Sequence, residues 1–264
     1  MKGNYNIAVL DMNAGQPNEG MRCITTLMGE FLTKDGVKGR YDIFEVRNGQ
    51  ELPDLNEYDI FVSSGGPGSP LKTGAEWEIK YFRFLDSILS HNLSNAQKKH
   101  AFLICHSFQL ACLHWDVARV TKRRSTSFGI FPIYKTKSGE QEVLFKDLND
   151  PFYAVDSRDY QVVGPKEWKL DTLDGKVLCM AIRFSNEIFG VQFHPEADAE
   201  GMLRYFGKEE KRNQIVKRHG KKKYLEMITQ LDDKAKIWKT NKTLIPTFLK
   251  LAAEAIDSQK LQTV

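Results

Sequence analysis

The chain has 264 residues, with 38 Lys+Arg against 34 Asp+Glu, 41% hydrophobic and 11% aromatic residues. This composition excludes a disordered chain, and no stretch approaches the roughly 18 to 20 uninterrupted apolar residues of a membrane helix. The formal charge of +4 is uneven: Tyr205 to Val264 carries fourteen basic and seven acidic residues, a net of +7, which leaves the remaining body at −3.

The opening MKGNYNIAVLDMN has only a short apolar run ending at Asp11, which predicts neither a signal nor a transit peptide. Asn6–Asp11 is a β-branched apolar run and predicts a buried strand. Apolar groups at helical spacing predict a helix from about Glu19 to Leu32. Tyr41–Val46 and Tyr58–Ser63 predict the second and third strands, the latter running into Ser-Gly-Gly-Pro-Gly. An amphipathic helix is expected over Trp77–Leu89, then a fourth strand at Ala101–Ile104 and a helix starting near Ser107. Strands alternating with helices predict an α/β fold, a mostly parallel twisted sheet flanked by helices, with ligands at the carboxyl ends of the strands. From Phe131 to Val191 short alternating runs (FPIYKT, YAVDS, YQVVG, VLCMAIRF, IFGVQF) predict a small antiparallel section. A helix follows His194-Pro195-Glu196. The basic run Lys208–Lys223 reads as a solvated or docking surface, and Leu244–Ile256 as a docked helix in a C-terminal helical extension.

Four cysteines (Cys23, Cys105, Cys112, Cys179) lack CxxC or CxxH spacing. That argues against a zinc site or a disulfide framework and for a reducing, cytoplasmic setting. Cys105 sits at the predicted strand-to-helix junction, where the helix N-terminus favours thiolate and the next backbone N–H, of His106, faces a developing oxyanion. His194 and Glu196 are two apart on an extended segment and so share a side, which lets a carboxylate orient an imidazole. Ser63–Leu71 (SSGGPGSPL) lets backbone approach a ligand closely. No Gly-Lys-Ser/Thr ending and no G-x-G-x-x-G accompanies it, which sets aside phosphate-loop and dinucleotide binding.

Strand-GGP, strand-Cys-helix and strand-HPE, in this order, resemble the class I, triad-type glutamine amidotransferases, most closely the glutaminase domain of GMP synthase and stand-alone GMP synthase-like amidotransferases. The resemblance spans roughly residues 5 to 206, with VQFHPE and SGGPGSP its most specific parts. It implies a flavodoxin-like class I domain over residues 1–206 and a basic helical extension over 207–264. It also implies that Cys105 is the nucleophile, His194 the base and then acid, and Glu196 the orienting carboxylate. The implied oxyanion donors are the backbone N–H groups of Gly66 and His106, and Gln109 helps hold substrate. Neither a metal nor an organic cofactor is implied.

There are departures. The usual Gly-x-Cys-x-Gly elbow reads Leu103-Ile104-Cys105-His106-Ser107. The Ser-His-x-Asp segment, which shapes the substrate pocket, reads Ser157-Arg158-Asp159-Tyr160, and Arg158 in place of histidine suggests altered substrate recognition, through pairing with a carboxylate such as one on a substrate. The usual Glu-x-Gly reads Ser127-Phe128-Gly129.

The expected activity is hydrolysis of the side-chain amide of glutamine, or of a related γ-glutamyl compound, through a γ-glutamyl thioester. The ammonia released would reach a separate synthase subunit, because no ATP-pyrophosphatase domain follows. The alternatives are a γ-glutamyl peptide hydrolase or acyltransferase on the same fold, and a non-catalytic interaction protein on this scaffold. No membrane partner is expected. For the extension, packing or synthase docking is favoured over nucleic-acid binding, which would weaken steeply with salt.

Overall fold

The computed structural model describes residues 3–165, 179–231, 233 and 236–262. The first half alternates as the apolar pattern requires: β1 (Asn4–Asp11), α1 (Glu19–Leu32), β2 (Lys38–Glu45), β3 (Ile60–Ser63), α2 (Glu76–Ser94), β4 (His100–Ile104) and α3 (His106–His114). Helix α1 starts where Asn18, in extended conformation, accepts a hydrogen bond from the Gly20 N–H, and Glu19 places a carboxylate in the first turn. Its buried stripe, Cys23, Ile24, Leu27, Met28 and Phe31, has helical spacing.

The main sheet has six strands in the order β2-β1-β3-β4-β8-β7, where β7 is Ala181–Arg183 and β8 is Ile188–Val191. Every pairing in it is parallel except β7 with β8. Alternation divides each central strand between two cores. Ile7, Val9, Ile60, Val62, Phe102 and Ile104 face one side, with α1 and part of α7 (Ile237–Gln262) over them. Ala8, Leu10, Phe61, Ala101 and Leu103 face the other, with α2 and α3 over them. Burial on both faces explains why these strands read as unbroken apolar runs.

A second sheet is a long antiparallel pair, β5 (Arg119–Ile133) with β6 (Phe152–Val163), joined through a short helix α4 (Lys137–Gln141) and one 3-10 turn at Val143–Phe145. Two expectations change here. The antiparallel section begins at Arg119 rather than Phe131, and YAVDS and YQVVG are parts of the single strand β6. The IFGV run leaves that section altogether and pairs in parallel with β4, Leu103 opposite Gly190 and Ile104 opposite Val191. Local alternation is the same for both kinds of pairing, so it does not reveal which strand is the neighbour. Val177 and Leu178 of the VLCMAIRF run lie outside the described residues.

Helices α5 (Ala199–Gly207) and α6 (Glu209–Leu231) follow, α6 broken at Gly220, where φ is 85° and ψ 157°. Ile215, Met227 and Leu231 of α6 pack with Ile130, Val155, Met202 and Phe206 in a third cluster. Helix α7 buries Leu244, Ile245, Phe248, Leu249, Ala252, Ala253 and Ile256 in the first core, and the Phe248 ring meets Phe102 of β4 edge-on at 5.1 Å. Among the described residues, no helix is long and apolar enough to cross a membrane.

Candidate active site

Cys105 joins β4 to α3 with φ 48° and ψ −94°, a left-handed conformation in a residue with a side chain. Such a residue costs on the order of 1–3 kcal/mol and persists only where its surroundings dictate it. Those surroundings are plain. The Cys105 N–H donates to the Val191 carbonyl at 2.8 Å, and its own carbonyl accepts from the Gln109 N–H at 2.9 Å. Ser107, fully buried, accepts from the Ile104 N–H at 2.9 Å, and its hydroxyl lies 2.9 Å from the Ser63 carbonyl oxygen of β3. Ser107 therefore ties the elbow to the neighbouring strand. Leu103 is accommodated in the second core, and its ladder partner Gly190 leaves room for the Phe108 ring, which a Cβ at 190 would meet at 2.6 Å.

The end of β8 delivers the second group. The His194 N–H donates to the Val155 carbonyl of β6 at 2.8 Å, an isolated antiparallel bridge that fixes the imidazole's backbone. Its Nδ1 lies 2.8 Å from Glu196 Oε1, with Glu196 only 2% exposed. Burial alone would push the His194 pKa down. The negative charges of Glu196 and Cys105, and hydrogen bonds to both, outweigh burial and hold it well above the ordinary imidazole value. A thiol at a strained turn, an imidazole in the same cavity and a carboxylate bonded to that imidazole form the set used for acyl transfer through a covalent intermediate.

The glycine loop after β3 closes over this pair. A Cβ on Gly65 would lie 2.7 Å from His194 Cε1, and one on Gly66 would run into the Met12 carbonyl oxygen. Only bare backbone fits at either position. The loop is braced from behind by Arg47, just beyond β2. Its Nη1 donates to the Pro67 carbonyl at 2.7 Å and reaches the Met12 carbonyl at 3.3 Å, and its guanidinium stacks on Trp77 of α2, 4.8 Å from the ring centre.

The remaining expected site residues line the same cavity of about 610 Å³, together with Cys105, His194, Glu196 and Gly66. His106 is buried, and burial, reinforced by the Arg47 charge, pushes its pKa down to about 3, so its imidazole is neutral across the physiological range. Gln109 donates to Gln192 Oε1 at 3.0 Å. Ser157 is exposed at the cavity wall. Arg158 also lines the cavity, but its guanidinium is engaged within the chain. Nε and Nη2 each lie 3.1 Å from Asp156 Oδ2, and Nη1 donates to the Tyr160 carbonyl at 3.0 Å. The carboxylate partner suggested for Arg158 is thus present in its own strand.

Two neighbours of the site were not expected from the sequence. Gln192 donates through Nε2 to Cys105 Sγ at 3.7 Å and so links Gln109 to the thiol. It shares the two-residue alternation of His194 and Glu196, which is the signal that marks it. Cys23 of α1 lines the cavity, and burial pushes its thiol up to about 12. Among the described residues, no group of three His, Cys, Asp or Glu side chains could hold a metal ion.

Comparisons with known proteins agree with this architecture. One component of a glutamine-hydrolysing GMP synthase from Sulfurisphaera tokodaii is 24% identical over 145 residues, 54% of this chain and 69% of that protein. A glutamine amidotransferase from Thermotoga maritima superposes with a TM-score of 0.68 at 17% identity, covering 95% of this chain and 99% of the other. One from Methylobacillus flagellatus superposes with a TM-score of 0.60 at 12% identity, covering 98% and 95%. At these identities the two structures speak to the fold alone. Residues 32–208 match the family described as glutamine amidotransferase class-I, and with two thirds of its length inside that match the chain belongs to the class I glutamine amidotransferases.

Proposed function

We propose that the chain hydrolyses the side-chain amide of glutamine, or of a related γ-glutamyl compound, with Cys105, His194 and Glu196 as its catalytic groups. The observation that carries this reading is the left-handed Cys105 at the β4–α3 junction, sharing one cavity with His194 and the Glu196 carboxylate bonded to that imidazole. Cys105 Sγ attacks the amide carbon with its proton carried by His194. The C–N bond breaks, His194 protonates the leaving nitrogen, and ammonia departs from a γ-glutamyl thioester. A water then attacks the same carbon and gives its proton to His194. The C–S bond breaks, leaving the sulfur's proton on His194 again, and glutamate is released.

Glu196 stabilises the imidazolium in both halves. The N–H groups of Gly66 and His106 receive the oxyanion, an arrangement worth about 3 kcal/mol per donor in comparable enzymes. Gln109, Ser157 and Arg158 shape the substrate site, Arg158 through its fixed place on β6. The name of the Sulfurisphaera relative, one component of a GMP synthase, supports passage of ammonia to a separate synthase subunit.

The test is release of ammonia and glutamate from glutamine by the parent chain and by Cys105→Ala. The reading expects loss of at least about a thousandfold in the variant, whereas equal activity in the two overturns it. The volume of the cavity, about 610 Å³, also leaves room for a second reading in which the donor is a larger γ-glutamyl peptide. A kcat/KM for γ-glutamyl dipeptides well above that for glutamine selects the second reading, and the reverse order selects the first.

A further inference from the structure

The Glu196 carboxylate is held by little of its own. Oε1 meets His194, while Oε2 is buried with no hydrogen-bond partner. Its position therefore depends on its backbone, and that backbone has a specific anchor: the buried side chain of Asn241, in α7, donates through Nδ2 to the Glu196 carbonyl at 2.7 Å. The residues on either side of Asn241 also reach other elements. Thr240, also buried, donates to the Tyr153 carbonyl of β6 at 2.6 Å, and Lys242 Nζ pairs with Glu30 of α1 at 2.7 and 2.8 Å. Successive side chains on a helix point about 100° apart, so these contacts put α7 in the crevice where β6, the His-Pro-Glu segment and α1 meet.

The far end of α7 is also fastened. Asp257 accepts from the Tyr5 hydroxyl of β1 at 2.7 Å, and Gln259 accepts from the Lys98 N–H at 2.9 Å. With its apolar face in the first core, the helix cannot slide along its axis. The His194 N–H is bonded to Val155, two residues along β6 from the carbonyl that Thr240 holds. Adjacent residues of α7 thus hold both β6, which bridges to the His194 backbone, and the segment that carries Glu196.

We propose that Asn241 is a positioning residue of the active site, placing Glu196 against His194 through the peptide backbone, and that α7 is an integral part of the catalytic apparatus. This rests on the proposed roles of His194 and Glu196. Other charged groups lining the same cavity are Glu19 of α1, Arg158 and Asp159 of β6, and Asp198, the last paired with Arg22. None of them bonds to Asn241.

The experiment follows the titration of the His194 ring by NMR in full-length parent, Asn241→Ala and Lys242→Ala, alongside steady-state kinetics with glutamine. In Asn241→Ala the His194 midpoint should fall by about one pH unit as its carboxylate drifts away. The kcat should fall about tenfold to a hundredfold with KM little changed. Lys242→Ala removes an anchor of the same helix that does not touch the His-Pro-Glu segment, and it should leave the His194 midpoint in place. If Asn241→Ala does not fold, Asn241→Leu keeps the bulk, drops the donor and is read in the same way.

A folded variant with an unmoved His194 midpoint overturns the proposal, and so does an equal shift in Lys242→Ala. The titration needs no turnover. If glutamine proves not to be a substrate, it still decides what Asn241 does.

Discussion

Cys105 concentrates the conflict between stability and chemistry in one backbone angle. At a φ of 48° a Cβ is crowded, so the usual order of glycine and alanine should invert. Cys105→Gly is expected to be more stable than Cys105→Ala by about 1 kcal/mol, with both unable to form a thioester. Urea unfolding of the two variants checks this, and an alanine variant equal to or more stable than the glycine one would refute it. The proposed catalytic groups were legible because they sit just past strand ends: Cys105 after one apolar run, His194 and Glu196 after another. Arg47 and Asn241 were not. Each acts on a backbone carbonyl distant in sequence, Pro67 for Arg47 and Glu196 for Asn241, and a carbonyl carries no mark in the sequence of which side chain will find it.

Among the elements, α1 was readable from its apolar spacing, and the structure adds the Asn18 cap and acidic first turn that fix its start. Strand β8 was readable as a strand but not as a parallel partner of β4, since pairing is decided by distant chain. The same limit hides the clamp formed by the end of β2, the glycine loop and α2, in which Arg47 lies between Trp77 and the Met12 and Pro67 carbonyls. Arginine's planar fork suits both the ring and the carbonyls, and a lysine reproduces neither geometry. Arg47→Lys should keep the fold, lower kcat about tenfold and change KM little, because it loosens the loop that carries Gly66. Unchanged kcat in a folded Arg47→Lys chain would show that the loop holds itself.

Taken whole, the molecule buries histidines with opposite tendencies. Burial holds His100 of β4 down to about 4 and His106 down to about 3, while His194 is held above its ordinary value. The signs differ accordingly. Below about 6.5 the unfolded chain takes up protons at positions 100 and 106 that the native state refuses, so stability falls as pH drops toward about 4. His194 does the reverse: its protonated form contributes fully below about 6.5, and that contribution is lost as pH rises through its raised pKa. His100→Gln, far from the cavity at the other end of its strand, should lose about 2 kcal/mol less than the parent between about pH 7 and about pH 4.5. Identical pH slopes in urea unfolding would rule out His100 as a source of acid lability.

The parallel sheet and its flanking helices were evident from composition and period. The charge asymmetry was evident too, and so was the docking of Leu244–Ile256, which supplies seven buried residues to the first core.

That last packing has a consequence for how the protein is made. One face of the sheet runs from Ile7 near the start of the chain to Val191, and its cover includes α7, which is synthesised after all of it. While the ribosome is still translating toward Ile256, the strands can pair, yet part of that face stays bare to water and to other chains. Contacts that join the two ends of a chain are slow to form, and a partly covered apolar sheet is the kind of surface that aggregates or recruits chaperones. The nascent protein would therefore hold its thiol, imidazole and carboxylate early and complete their alignment only when α7 docks.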